Sequence, residues 1–426
     1  MPDVPVSHSL PGPDDIHRGV LDNGIIVLSR PNFNSPSIFI SGYLPAGSLL
    51  DPDEKLGLAD FVSSMLMRGT NTCDFQQIYD SLEGVGASFG YHTGGHTTGF
   101  NGRSLAEDLP LLLETLSDTL QNPTFPADHL EKLRSQILTG MAIRAQDTSD
   151  MASILFDQLL YDGHPYSRVD EGWPETVQAI TREDMLDFHQ RAYGPKGMVL
   201  AVVGAVEAEN ALSLVERYLG DWQNEVQGEA FELPEYIRPG KLMRKHYPIP
   251  GKSQSDICMG TDGPKRRDPD FMPALLGNNI LGQFGMMGRI GEVVREKSGL
   301  AYYAYSSLSA GHGPGAWYVS AGVNPSNVEK TVELVTKELK QFAEIGILKD
   351  ELADSQANYI GRLPLTLESN AGVASALLNI ERHSLGMDYY QKYADMVGRV
   401  TIDDVRSVAQ KYIDPETLVI ATAGPE

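Results

Sequence analysis

His92 and His96 stand four residues apart in the glycine-rich stretch Phe89-Gly-Tyr-His-Thr-Gly-Gly-His-Thr-Thr, the closest histidine pair in the chain. Two imidazoles with suitable spacing can clasp a zinc ion. This stretch reads as strand, however, where positions i and i+4 share a face but lie about 13 Å apart, too far to hold one ion. Solvated or substrate-facing imidazoles are the reading left. A second candidate is Asp60. A helix is predicted over 56–68, because Leu58, Phe61, Val62, Met65 and Leu66 recur at i, i+3, i+4, i+7 and i+8. Asp60, Ser63 and Ser64 occupy the neighbouring face; Asp60 could ligate a metal, whereas serine hydroxyls are poor neutral ligands. The third candidate pairs Arg295, near a helix end marked by Ser298-Gly299, with Tyr302, which opens the next strand. Spacing alone leaves two readings open: donors facing a ligand, or an arginine paired with Glu292 or Glu296 and a core tyrosine.

In its surroundings, the run Gly57-Leu-Ala-Asp-Phe-Val-Ser-Ser-Met-Leu-Met-Arg-Gly-Thr resembles the insulinase and mitochondrial-processing-peptidase family, the pitrilysin-like peptidases. The family frame is G-L-A-H-F-x-E-H-M-L-F-x-G-T, in which two His bind zinc and the Glu activates water. Asp60, Ser63 and Ser64 stand at those three positions. The family's further ligand is a Glu on a later helix; here Thr139-Gly140 stands where a Glu-Glu pair is usual. The resemblance therefore implies a degenerate metal site at Asp60, Ser63, Ser64 and Gly140, and no metal in this chain.

The second half keeps its motif. Arg289-Ile-Gly-Glu-Val-Val-Arg-Glu-Lys-Ser-Gly-Leu-Ala-Tyr-Tyr resembles the family's second-domain signature, and Arg295 and Tyr302 match its R-x₆-Y pair. The resemblance gives that pair to the subunit that completes the active site. Peptide hydrolysis passes through a tetrahedral oxyanion, to which a guanidinium and a phenol could donate. Losing one such donor costs on the order of 3 kcal/mol, about a hundredfold in rate. Tyr303 and Tyr305 alternate to the face opposite Tyr302 and read as packing residues. No Gly-Lys-Ser/Thr follows the short glycine-rich run 282–288, which excludes a phosphate loop. Its brevity favours a prokaryotic paired peptidase over the mitochondrial enzyme. Met286 and Met287 read either as adaptable contacts to peptide or as core filling.

The elements that must position these residues repeat. Helices are predicted over 109–120 and 126–140 in the first half and over 328–342 and 349–363 in the second. Strands are predicted over 25–30, 38–44, 198–203, 300–310 and 317–322. Strand pairs and helices come in runs, an α+β pattern rather than regular βαβ alternation. The expected domains are 1–223 and 252–426, joined by a proline-rich linker over 224–251. The resemblance implies two similar α/β-sandwich halves arranged like a clam.

Composition narrows the partners. A length of 426 residues is long for one domain, and 41% hydrophobic content suffices for sizeable cores. The formal net charge of −23 opposes nucleic acid and anionic membranes. Cys73 and Cys258 are too few and too separated for a disulfide framework or a cysteine zinc site. The N-terminus has neither a basic nor an apolar leader region, and no long apolar run is present, so a cytoplasmic protein is expected, with the periplasm as second choice. The resemblance implies a non-catalytic subunit of a heterodimeric zinc peptidase. A homologous H-x-x-E-H chain would hold the zinc, and this chain would supply Arg295 and Tyr302 to a bound peptide. The alternatives are a catalytically silent peptide-binding or scaffold protein, homodimeric or in a larger assembly, and a hydrolase with novel ligands.

Overall fold

The computed structural model describes residues 10–283 and 288–425. Six strands form one sheet: β1 (His17–Val20), β2 (Ile26–Pro31), β3 (Ser37–Leu44), β4 (Ser88–Thr93), β5 (Thr98–Leu105) and β6 (Val199–Gly204), in spatial order β1-β2-β6-β3-β5-β4. Five form another: β7 (Met243–Pro248), β8 (Ser255–Asp262), β9 (Ala301–Leu308), β10 (Ala316–Val323) and β11 (Val419–Gly424), in order β7-β11-β8-β10-β9. Apart from β1 the two orders are the same. Each sheet has one parallel pair, β2 with β6 and β7 with β11, and is otherwise antiparallel. A long-range pairing pattern repeated strand for strand is an internal duplication, and the fold is α+β with two similar halves.

Interior strands explain their own sequences. β6, Val-Leu-Ala-Val-Val-Gly, and β11, Val-Ile-Ala-Thr-Ala-Gly, are buried at every position, as strands covered on both faces must be. β5 alternates buried and exposed residues from Phe100 onward. The predicted strands and long helices are present, with ends shifted by a few residues.

Helices α1 (Leu58–Met65), α2 (Leu109–Gln121), α3 (Ala127–Arg144), α4 (Thr148–Leu160), α5 (Val328–Glu344), α6 (Lys349–Thr366) and α7 (Asn370–His383) matter for the sites. The chain forms two compact units that do not follow its halves. One takes residues up to 139, 168–232 and 363–391; the other takes 140–167, 233–362 and 392 onward. Each sheet comes from one half, but a helix is exchanged. α4, from the first half, packs on β8 and β11, while α7, from the second, packs on β3 and β6. Met151, Ala152, Leu155 and Phe156 of α4 are buried against Cys258, Val419 and Ala421. Burying one such large side chain contributes roughly 1.5–3 kcal/mol, so the exchanged helix belongs to its host's core. Within 224–251, read from sequence as linker, residues 243–248 form β7, held by parallel pairing with β11. Among the described residues no helix is long and apolar enough to cross a membrane.

Candidate functional site

The helix α1 starts where two backbone segments touch. Gly57 has φ +95°, and a Cβ there would lie 2.4 Å from the Glu171 carbonyl oxygen. Gly172, with φ +76°, would meet the Leu56 carbonyl oxygen at 2.0 Å. Only glycine tolerates both demands. The Asp51 carboxyl caps the helix by accepting the Gly57 and Ala59 N–H groups, each at 2.9 Å. Leu58, Phe61, Val62 and Met65 are buried, as the predicted apolar stripe requires.

Asp60, Ser63 and Ser64 do come together on α1, among acids rather than in a ligand set. Ser63 is buried, and its hydroxyl donates to the Asp60 carbonyl at 3.0 Å, committing it to its own helix. Burial, reinforced by Glu171 and Asp170, pushes the Asp60 carboxyl up to about 6. Burial pushes Asp51 up to about 8, although its N–H donors pull the other way. Asp170, also raised by burial, accepts from the Ser48 hydroxyl at 2.5 Å. Arg168 pairs with exposed Asp53 at 2.7 Å. Zinc needs deprotonated N, S or carboxylate donors, and this set offers a single carboxyl and two hydroxyls. These residues do not fit zinc. Among the described residues no group of three or more His, Cys, Asp and Glu side chains could hold a metal ion.

Thr139 and Gly140 lie on an exposed face of α3. The Thr139 hydroxyl donates to the Ser135 carbonyl at 2.8 Å, and a Cβ on Gly140 would meet nothing within 4 Å. A longer side chain would fit at Gly140; the chain does not carry one. His92 and His96 do not share a strand. His92 sits on β4 opposite Gly99 of β5, its imidazole lying over that glycine, and His96 lies in the turn between these strands. Burial, then nearby Arg382, lowers the His92 pKa and keeps the ring neutral.

The second-half motif is laid out differently. Arg289 is fully engaged: its guanidinium donates to both Glu351 oxygens at 2.7 and 2.6 Å and to the Gly346 carbonyl at 3.1 Å. Six residues on, Arg295 lies in a π-helical segment, Gly291–Lys297, that packs against β9. Wide turns of this kind recur at functional sites. Glu292 is taken by Lys297 at 2.9 Å, leaving Arg295 a loose contact with Glu296 at 3.8 Å and 42% of its side chain exposed. The segment ends at Gly299, φ +60°, whose N–H returns to the Arg295 carbonyl at 2.9 Å.

Tyr302 is not a core residue. β9 pairs with β10 down to Tyr303 opposite Gly322 and resumes at Ala301 opposite Val323. Tyr302 is the extra residue of a β-bulge on the outer strand of the sheet. Unbroken alternation would place it with Ala304 and Ser306, both buried; the bulge turns it out, 68% exposed. Its hydroxyl has no hydrogen-bond partner among the described residues. Arg295 and Tyr302 thus flank one short turn in one unit, a guanidinium and a phenol with donors to spare. Gly282 and Gly288 touch backbone to backbone, and a Cβ on Gly282 would meet the Ser306 N at 2.6 Å. Met286 and Met287 lie outside the described residues.

Two family models match the chain in succession: Insulinase (Peptidase family M16) over residues 27–167, and Peptidase M16 inactive domain over residues 179–359. The chain belongs to the insulinase family, peptidase family M16. A crystal structure titled as a peptidase M16 inactive domain, from Pseudomonas fluorescens, is similar at a TM-score of 0.89 and 25% identity, over 97% of this chain and 98% of that one. The uncharacterized zinc protease YmxG of Bacillus subtilis is 25% identical over 83% of this M16 chain and 85% of its own length. The beta subunit of mitochondrial-processing peptidase from Lentinula edodes is 23% identical, over 95% and 89%.

Sequence reading of this M16 chain missed the acid cluster around α1 and the bulge at Tyr302. Asp51, Asp60 and Asp170 are far apart in sequence and meet only through the fold. The bulge left a faint signal in the doublet Tyr302-Tyr303, which forces two large rings into adjacent positions of an edge strand.

Proposed function

We propose that this chain is the zinc-less subunit of a two-chain M16 peptidase, and that Arg295 and Tyr302 donate hydrogen bonds to the carbonyl of a peptide cleaved by its partner. The partner would be a homologous H-x-x-E-H chain; the zinc it holds would polarise the scissile carbonyl. As segments of sequence, the proposed duplicated domains are 1–223 and 252–426, joined through 224–251, which also lends β7 to the second sheet. The observation that carries the reading is the contrast between the two motif regions: the α1 positions offer one half-buried carboxyl and two hydroxyls, one of them committed to its own helix, too few donors for zinc, whereas Arg295 and Tyr302 are exposed with donors unspent. Supporting it, relatives are named zinc proteases and a processing-peptidase subunit, and similarity extends over nearly the whole chain. The outer strands β4 and β9 each leave an edge to which an extended peptide can add by main-chain hydrogen bonds.

The test is to purify this chain and an H-x-x-E-H homologue from the same source and assay quenched fluorescent peptides with each alone and both mixed. Activity that needs the mixture is expected. Hydrolysis by this chain alone, or an unchanged rate on adding it, contradicts the proposal.

A further inference from the structure

The bulge that turns Tyr302 outward needs an anchor on the residue that follows it. Asp256 of β8, Gly322 of β10 and Tyr303 of β9 lie in one row across three strands, with Gly322 paired to Asp256 on one side and to Tyr303 on the other. Two strand spacings separate the outer pair, about 10 Å between backbones. The Tyr303 ring spans that distance because the middle strand has no side chain. A Cβ on Gly322 would lie 2.5 Å from the Tyr303 ring, 2.7 Å from the Gln254 amide nitrogen and 3.0 Å from Asp256 Oδ1.

At the far end the Tyr303 hydroxyl donates to Asp256 Oδ1. Asp256 is 1% exposed, and its carboxylate also accepts from the Thr148 hydroxyl and from Gln254 Nε2 at 3.1 and 3.0 Å. Thr148 opens α4, whose packing on β8 fixes the carboxylate from the other side. Burial, then the bond to Asp256, holds the Tyr303 phenol above its ordinary range, so it stays a donor. With Tyr303 pinned to one face and pairing resumed at Ala301, the residue between them has no place in the ladder.

We infer that Tyr303, reaching over Gly322 to Asp256, is a positioning residue that sets the direction of Tyr302. The inference rests on the proposed role of Tyr302 and adds what holds it in place. The full chain labelled with 3-fluorotyrosine gives a fluorine NMR signal for Tyr302, assigned by its disappearance in Tyr302→Phe. A soluble nitroxide should broaden it, since the ring is exposed. In Tyr303→Phe, and in Gly322→Ala, the Tyr302 signal is expected to shift and lose most of that broadening, while buried Tyr412 of the same unit keeps its signal. Mixed with the zinc-binding homologue, both variants should lower kcat about ten- to a hundredfold with KM unchanged, the effect of misplacing a donor by about 1 Å. An unmoved Tyr302 signal in Tyr303→Phe overturns the inference, even where turnover falls. If Gly322→Ala fails to fold, Tyr303→Phe decides alone. Tyr302→Phe with intact turnover would sink the role of Tyr302 itself, and a displaced signal would still support the anchor.

Discussion

The α1 region and the 289–303 region are the two places where this M16 chain meets its family's motifs, and they treat polar side chains in opposite ways. At α1 most polar groups are drawn into the fold. Asp51 caps the helix, Ser63 bonds its own backbone, Asp170 accepts from Ser48, and burial raises the carboxyl pKa of Asp170 and that of Asp60, the latter to about 6. Around the second motif, Arg289, Glu292 and Tyr303 are absorbed as well, but Arg295 and Tyr302 are left over. Leaving them exposed took two local departures from regular structure, a π-helical segment and a β-bulge. A region that serves only stability converges on satisfied, buried groups. Unspent donors held out by backbone irregularities point to a ligand.

The comparison can be broken with stability measurements. Phe61→Ala, at a position with no exposure in α1, should cost about 3–5 kcal/mol in urea unfolding. A much smaller loss would mean that α1 is no longer part of a tight core. Gly57→Ala places a side chain at φ +95° against the Glu171 carbonyl; the backbone strain alone should cost about 1–3 kcal/mol. A neutral result would remove the backbone contact from the account of α1.

The acids give the next prediction. Asp60 and Asp51 have folded pKa values of about 6 and about 8, above the ordinary 3.8, so the folded chain binds these protons more tightly than the unfolded chain. Their stabilisation is complete below about pH 4 and is lost as pH rises, through about 6 for Asp60 and about 8 for Asp51. The urea midpoint, followed by Trp173 and Trp222 fluorescence in Trp317→Phe, should fall between pH 5 and pH 8. Asp51→Asn should flatten the slope; a midpoint that rises with pH would contradict the proton-holding picture.

The smallest effects should come from the second motif. Arg295→Ala and Tyr302→Phe remove exposed, uncommitted groups and should change stability by no more than about 0.5 kcal/mol. A larger loss in either would make that residue structural and erase the contrast with α1.

Much of this was legible in sequence. The duplication, the α1 stripe, the missing ligands and the Arg295/Tyr302 spacing are local patterns, and local patterns survive without coordinates. The helix exchange was not legible: α4 and α7 carry ordinary apolar faces, and nothing in Met151, Leu155 or Leu377 says which sheet will receive them. Nor was β7, whose charged run Arg244-Lys245-His246 reads as linker until β11 is placed beside it. The acid cluster and the Asp256–Gly322–Tyr303 row depend on register across strands and on distant loops, which composition and periodicity do not encode.

The most direct test of the account is kcat/KM for peptide cleavage by the mixed chains with wild type, Arg295→Ala and Tyr302→Phe, alongside bound zinc. The account predicts a fall on the order of a hundredfold for each variant, with zinc content and association of the two chains unchanged. Wild-type turnover in both variants would contradict it.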